Sequence, residues 1–238
     1  MLLSINELRG RYARAFEGLG FPAGLSPDAA RIVATLDILG ERGCERVVSR
    51  GDRLDGASLP VPEPRVDGGE ATVAAKGASL LSVGADVLDM LDVLTQQHGT
   101  ASIATKDCGD LDFLTGLGGL AAARGLEGVL IAPVEDRERL VRVAQRRAEV
   151  QEGPPGTFGD CPANGLLALG GQAVQTLDAQ TCTTVLSFAR FDALHDHALQ
   201  DGVTVDDAAW RRVYALGGRL LVAESGESEP GVGGGVPI

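Results

Sequence analysis

The sequence is short of aromatic residues, with six Phe, two Tyr and one Trp in 238 positions. So few rings leave no platform for stacking nucleobases. Positive charge is also in deficit. There are 21 Lys and Arg against 33 Asp and Glu, a formal net charge of −12. That balance argues against a nucleic-acid binder, which must neutralise phosphates, and against docking on anionic membrane surfaces. No run approaches the roughly 20 apolar residues of a membrane span. Met1 to Glu7 carry neither a basic leader nor an apolar core, so a cytoplasmic location and no membrane partner are expected. Cys44, Cys108, Cys161 and Cys182 stand singly with no Cys-x-x-Cys pair, which reads as reduced thiols and not zinc ligands. No Gly-x-Ser-x-Gly elbow and no Walker loop are present. The nearest run to the latter, Thr115-Gly-Leu-Gly-Gly119, lacks the Walker lysine and falls inside an expected helix, as a small-residue packing face.

What remains is ordinary core material, 44% apolar, enough for one large domain or two small ones. Ser4-Ile-Asn-Glu7 reads as a capping box opening a helix through Leu8, Tyr12, Ala15, Phe16 and Leu19 to Gly20. A second helix starts at Ser26-Pro27-Asp28, runs through Ile32, Val33, Leu36 and Leu39, and stops near Gly40. The Gly- and Pro-rich stretch 51–70 excludes a long helix. Beyond it the patterns alternate. Thr72 to Ala75 reads as a strand, Val83 to Gln97 as a helix and Thr100 to Thr105 as a strand. Asp112 to Arg124 reads as a helix, Gly128 to Pro133 as a buried strand and Glu135 to Val150 as a helix with a charged face. Gly165 to Gly171, Ala173 to Leu177 and Thr183 to Ala189 look strand-like, and Asp206 or Asp207 caps a helix through Trp210, Val213 and Tyr214.

The expected fold is therefore α/β, an N-terminal helical hairpin followed by a mixed sheet with flanking helices. The expected divisions are a hairpin over 1–50, a connector over 51–70, an α/β domain over 71–224 and a Gly-rich tail over 225–238. The tail composition fits a disordered end, with Ser225 to Ser228 as a lid in the functional alternative.

The chemistry-bearing residues cluster after the strand ending near Thr105. Asp107, Asp110 and Asp112 surround Cys108, at a strand's carboxyl end where open α/β sheets place ligands. The cluster reads either as a divalent-metal site or as a solvated acidic loop capping the next helix. The two neighbouring Asp raise the Cys108 thiol pKa and disfavour a reactive thiolate. His195-Asp196-His197 would share a face on a strand but diverge by roughly 200° on a helix, and no third ligand is spaced with them, so solvated histidines are the expectation. His98 precedes Gly99 at a helix end, where a cation suits the dipole.

Several stretches carry a resemblance. They are Ser4 to Arg9, Leu25 to Arg31, Arg42-Gly43, Val48-Ser-Arg50, Pro62 to Val66, and Gly99 to Lys106 running on through Leu120 to Val129. In that order they resemble the type-2 malate/L-lactate dehydrogenases, a family without a Rossmann domain. The whole chain resembles an uncharacterised bacterial family, a domain of unknown function, through Trp210 to Leu221, Val222-Ala-Glu-Ser225 and Gly231 to Gly235. The first resemblance implies hydride transfer with NAD(P)H and a homodimer. The chain departs from it where the chemistry lies. A Gly-His-Asp-Ser-His-Gly-like motif is replaced by Gly43-Cys-Glu-Arg-Val-Val48, and Asp110 stands where an Asn-His-Phe-Gly-like motif has its histidine. The chain is also shorter than the resemblance implies. Moving a hydroxyl proton near neutral pH suits histidine, and an ordinary carboxylate does it poorly.

These departures imply that NAD(P)H binding is lost, and no other cofactor or metal is identified. The expectation is an enzyme of small-molecule metabolism with non-oxidoreductase chemistry. Asp110 and Asp112 are its candidate catalytic groups, and Arg50, Lys106 and Cys108 the candidates for binding a small carboxylate. The alternatives are a non-catalytic metabolite-binding protein or partner subunit, and a residual NAD(P)H-dependent reductase.

Overall fold

In the computed structural model, which describes residues 1–51, 53, 54, 60–176 and 182–220, a short strand β1 (Leu2–Leu3) leads into α1 (Ile5–Gly18). The Ser4 hydroxyl accepts from Glu7 N at 3.2 Å, the hydroxyl half of the expected box. α2 (Ser26–Ile38) packs back on α1 as the expected hairpin. Ser26 lies inside the helix and does not cap it. Its buried hydroxyl donates to the Pro22 carbonyl at 3.2 Å.

The helix α3 (Gly43–Arg50) has no counterpart among the expected elements. Its N-cap residue Arg42 is left-handed, with φ 56°, and gives no side-chain cap. The cap comes from α2. The buried Asp37 carboxylate accepts from Cys44 N at 3.0 Å, from Gly43 N, and from the Tyr12 hydroxyl at 2.5 Å. A carboxylate at the positive end of a helix is favourable. A cap that comes from six residues away leaves no local signature.

Eight strands make the main sheet. They are β2 (Glu63–Asp67), β3 (Glu70–Ala74), β4 (Thr100–Lys106), β5 (Gly128–Val134), β6 (Arg137–Ala144), β7 (Arg147–Gly153), β8 (Leu167–Gly171) and β9 (Thr183–Leu186). Their order is β2-β3-β4-β8-β5-β6-β7-β9, with β3 and β4 parallel and the other neighbours antiparallel. The sheet is mixed, as expected. β2 runs through the expected connector, and as an exposed edge strand it tolerates Pro64. α4 (Leu80–His98), capped by Ser79 and closed by left-handed Gly99, joins β3 to β4. α5 (Leu114–Arg124) joins β4 to β5. β8 slots between those two strands, antiparallel to both, so β3, β4 and β5 end on one side of the molecule.

The expected helix over 135–150 is instead the hairpin β6–β7. The segment is rich in Arg and Glu, good helix formers, yet its burial alternates along most of each strand, with breaks at Leu140-Val141 and Gln151-Glu152. Its turns hide the hairpin. Glu135 has φ 58°, and Gln145 and Arg146 have φ 51° and 62°, positions where Gly or Asn is the usual signal. Two further corrections concern the C-terminal third. The strand expected at Ala173 to Leu177 is a 3₁₀ turn over Gln172–Thr176, and Leu177 lies outside the described residues. The strand expected over Thr183 to Ala189 stops at Leu186, and Ser187 caps α6 (Phe188–Asp201). β10 (Val203–Thr204) pairs with β1, and Asp206 caps α7 (Asp207–Gly217) through Ala208 N and Ala209 N. The Gly-rich tail lies outside the described residues.

α4 and α5 lie on one face of the sheet, with α1, α2, α3 and α7 layered on them, and one continuous core runs through both layers. α5 can sit between α2 and the sheet because its side chains are small. A Cβ on Gly116 would lie 2.3 Å from the Ile32 carbonyl oxygen, and one on Gly118 2.3 Å from a Val141 methyl. This is the packing face expected of Thr115 to Gly119. A second small core, with Val129, Ile131, Leu140, Phe158 and Leu169, covers the opposite face. Among the described residues no helix is long and apolar enough to cross a membrane.

Candidate functional site

The loops after β3 and β4 run side by side and pin each other. Gly77 N donates to the Asp107 carbonyl at 2.7 Å, Gly109 N to Ala78 at 2.8 Å, and Leu80 N to Gly109 at 2.9 Å. Cys108 N donates across to the Asn164 carbonyl at 3.0 Å. Asp107 and Asp110 are both left-handed, φ 54° and 55°, a strained setting for residues with a Cβ. The result is a fixed loop at the carboxyl ends of β4 and β5, facing α3. Between them lies a cleft of about 340 Å³ lined by Arg50, Arg53, Cys108, Asp110, Asp112 and Glu135, with Leu111, Pro133 and Val134.

Four of the five candidates therefore meet: Arg50, Cys108, Asp110 and Asp112. Lys106, the exposed last residue of β4, does not line the cleft. The two aspartates are not free carboxylates. Arg50 Nε reaches Asp110 Oδ1 at 2.9 Å and its Nη2 reaches Asp112 Oδ2 at 2.6 Å, with the guanidinium over the Phe113 ring. Arg46 contacts Asp112 Oδ2 at 3.3 Å and also donates to the Asp112 carbonyl. Arg53 contacts Asp110 Oδ1 at 3.4 Å. The pairing continues inward. Arg46 also meets Glu41 at 3.3 Å, Glu41 meets Arg139 at 3.0 Å, and Arg139 meets Glu152 at 2.6 Å and the Thr115 hydroxyl at 2.9 Å. Burial works against the Arg139 charge, but Glu41 and Glu152 outweigh it and raise its pKa. Eight charges alternate in sign along this lattice, from Arg53 at the rim to Glu152 on β7.

The lattice replaces the capping role expected for the acidic loop. Asp110 makes no side-chain cap to the 3₁₀ turn that follows it. Among the described residues no group of three His, Cys, Asp or Glu could hold a metal ion. Burial, with Asp110 and Asp107 adding, pushes the Cys108 thiol up to about 12, so it packs as a neutral side chain. The histidines lie elsewhere. His98 ends α4 at the opposite, amino-terminal edge of β4. His195 and His197 are both on helical α6 and diverge: Nδ1 of His195 lies 3.1 Å from the Phe191 carbonyl, and His197 meets Asp201 at 2.8 Å in solvent.

Sequence reasoning missed Arg46, Arg53, Glu41 and Arg139. The spacing of Arg46, Arg50 and Arg53, i, i+4 and i+7, is a signal only once α3 is known to be a helix. The nicotinamide cofactor implied by the N-terminal resemblance is not matched by these residues. The proton half of hydride transfer needs a free acid or base at the reacting centre. Here Asp110, where the resemblance implies a histidine, is bound by Arg50, and no histidine is among the described residues lining the cleft.

No protein-family model and no curated protein sequence matches the chain. Solved structures do. A dehydrogenase from Sinorhizobium meliloti aligns over 91% of this chain and 99% of its own, at 14% identity and a TM-score of 0.64. Malate dehydrogenase from Pyrococcus horikoshii OT3 aligns over 92% and 95%, at 9% identity and 0.65. Delta1-piperideine-2-carboxylate reductase from Pseudomonas syringae pvar. tomato aligns over 91% and 99%, at 13% identity and 0.63. The resemblance carried by residues from Ser4 to Val129 thus extends, as fold, along almost the whole chain, and the scaffold is that of these dehydrogenases and reductases.

Proposed function

We propose that this chain is a small-molecule-binding protein on a dehydrogenase-like scaffold, and that its cleft takes a small carboxylate without hydride transfer. One observation carries the reading: Arg46, Arg50 and Arg53 of the α3 segment converge on Asp110 and Asp112 at the strand ends. Arginine forks suit carboxylates, and the neighbours that share the fold are named for malate and a cyclic imino carboxylate. Arg53 is the exchangeable member. Its side chain is 72% exposed and its contact to Asp110, at 3.4 Å, is the longest in the lattice. A ligand carboxylate can draw it off Asp110 while Arg50 stays in place. Asp110 and Asp112 then act as positioning groups for the arginines. The same reading has the protein in the cytoplasm with its thiols reduced, as the homodimer the resemblance implies or with a second chain.

A second reading keeps an enzyme of small-molecule metabolism with non-oxidoreductase chemistry. The Asp110 side chain is only 10% exposed, and Arg50 and Arg53 both hold its Oδ1, so its Oδ2, which no described ion pair engages, is the oxygen left to act as a base toward a ligand in the cleft. Thermal unfolding against 2-oxo and 2-hydroxy acids, with NADH and NADPH as separate arms, tests both. A carboxylate at 100 times its Kd raises the midpoint by roughly 5–10 °C, and Arg53→Gln weakens that response. A shift with a nucleotide and not with any acid overturns the proposal in favour of a reductase. Turnover that Asp110→Asn abolishes while binding survives selects the enzyme.

A further inference from the structure

Toward the C-terminal end of α5, α1, α2, α5, α6 and the β6–β7 turn line an open cavity of about 330 Å³. Its polar lining is Arg9, Arg31, Arg146, His195 and Thr35, and none of its described lining residues is acidic. This is unusual in a chain of net charge −12, and it contrasts with the cleft, whose arginines are matched by carboxylates in the lattice above. Arg9 Nε is buried and has no hydrogen-bond partner. Neither Arg9 nor Arg31 forms an ion pair among the described residues, and Arg146 only donates to the Ala123 carbonyl at 3.3 Å. An unpaired buried donor on a cation costs more than a paired one gains. Burial, and then the charge of Arg31, lower the Arg9 pKa, which is the electrostatic signature of two guanidiniums facing one space.

The remaining groups complete a receptor. His195 is held by the Phe191 ring, with centroids 4.3 Å apart, and by the Phe191 carbonyl at 3.1 Å, which fixes Nδ1; among the described residues no hydrogen bond to Nε2 is seen. The Arg146 position is itself strained. It sits at φ 62° in a turn that also has Gln145 at φ 51°, where Asn-Gly would be the relaxed choice. Strain kept at a residue whose side chain reaches a charged cavity fits a functional position. Leu120, Ala122, Ala123 and Phe191 give the cavity an apolar wall.

We infer that this cavity binds a phosphoryl group, presented as free phosphate or as the ester of a small metabolite, on Arg9, Arg31 and Arg146. A phosphoryl dianion offers three equivalent oxygens to three forked donors. The volume lies at the lower end of small-ligand pockets, so the organic part is small. The site is separate from the carboxylate cleft and does not rest on the function proposed for it.

The test is thermal unfolding of the full chain at fixed pH and ionic strength, with chloride replaced by inorganic phosphate, and a calorimetric titration beside it. A saturable rise of about 3–6 °C at ten times the Kd is expected. Arg31 and Arg146 are exposed, so Arg31→Gln and Arg146→Gln should fold. Both should lose the phosphate response, while in chloride Arg31→Gln melts no lower than the parent because a repulsion has been removed. A structural role for Arg31 would lower that midpoint. Glycerol 3-phosphate distinguishes the sources: tighter binding than inorganic phosphate assigns an ester, equal binding assigns the free anion, and either supports the site. A response that survives in both variants, a rise matched by succinate at equal ionic strength, or a midpoint that follows protein concentration and not phosphate overturns it.

Discussion

The cleft beside α3 and the cavity toward the C-terminal end of α5 are built from the same residue type and differ in one respect. In the first, Arg46, Arg50, Arg53 and Arg139 alternate with Asp110, Asp112, Glu41 and Glu152. In the second, Arg9, Arg31 and Arg146 face one another with no described carboxylate between them. A matched lattice satisfies its own charges and holds elements together. An unmatched cluster carries a standing cost that a ligand removes. The arrangement of charges, and not their number, separates scaffold from receptor. α5 touches both, with Thr115 near its start bonded to Arg139 and Ala122 and Ala123 near its end lining the cavity.

The sharpest break is Arg139→Ala. It strands Glu152 in a part-buried setting and leaves Glu41 with Arg46 alone, and a loss of about 3 kcal/mol is expected from chemical unfolding. Next is Asp37, which caps the helix carrying two of the lattice arginines, Arg46 and Arg50. Burial raises its pKa from the ordinary carboxylate value to about 6, against the hydrogen bonds from Tyr12 and Cys44. A carboxyl whose folded pKa is raised contributes stability that is fully present below about pH 4 and lost as pH climbs through about 6. The parent should therefore lose up to roughly 3 kcal/mol across that window, and Asp37→Asn should flatten the slope. Gly116→Ala forces a methyl onto the Ile32 carbonyl and should cost about 1–3 kcal/mol. It also shifts α5 and so weakens the phosphate response as well as stability. Smallest in stability is Arg53→Gln, less than about 0.5 kcal/mol for an exposed partner, although its effect on carboxylate affinity is the largest of the set. A larger stability loss there would make the rim of the lattice structural.

Where local rules and tertiary packing agree, the sequence is informative. The Ser4-capped helix, the Gly99-terminated end of α4 and the apolar runs of β4 and β5 are legible because cap, period or terminator lies within one element, whereas the expected start of α4 at Val83 misses the Ser79 cap. β6–β7 is not, because helix-forming Arg and Glu are interspersed with its apolar residues and its turns use Glu135, Gln145 and Arg146 with φ above zero. α3 escapes because its cap comes from Asp37. At the site, Asp110, Asp112 and Arg50 stand out as polar residues at a strand end, but their mutual neutralisation depends on α3 being a helix. The cavity arginines have no common motif at all, since α1, α2 and a hairpin turn each supply one.

The position of β8 has a consequence for how the chain is made. β2, β3 and β4 form one ladder and β5, β6, β7 and β9 another, and among the described residues their hydrogen-bonded link is β8 alone. Residues 167–171 leave the ribosome after both neighbours, so β4 and β5 wait with open inner edges until then. At about 5–20 residues per second, the segment between the end of β5 and β8 sets a delay of a few seconds. The nascent chain is most exposed to mispairing and to chaperones in that interval, and a stall there would release two half-sheets with no seam.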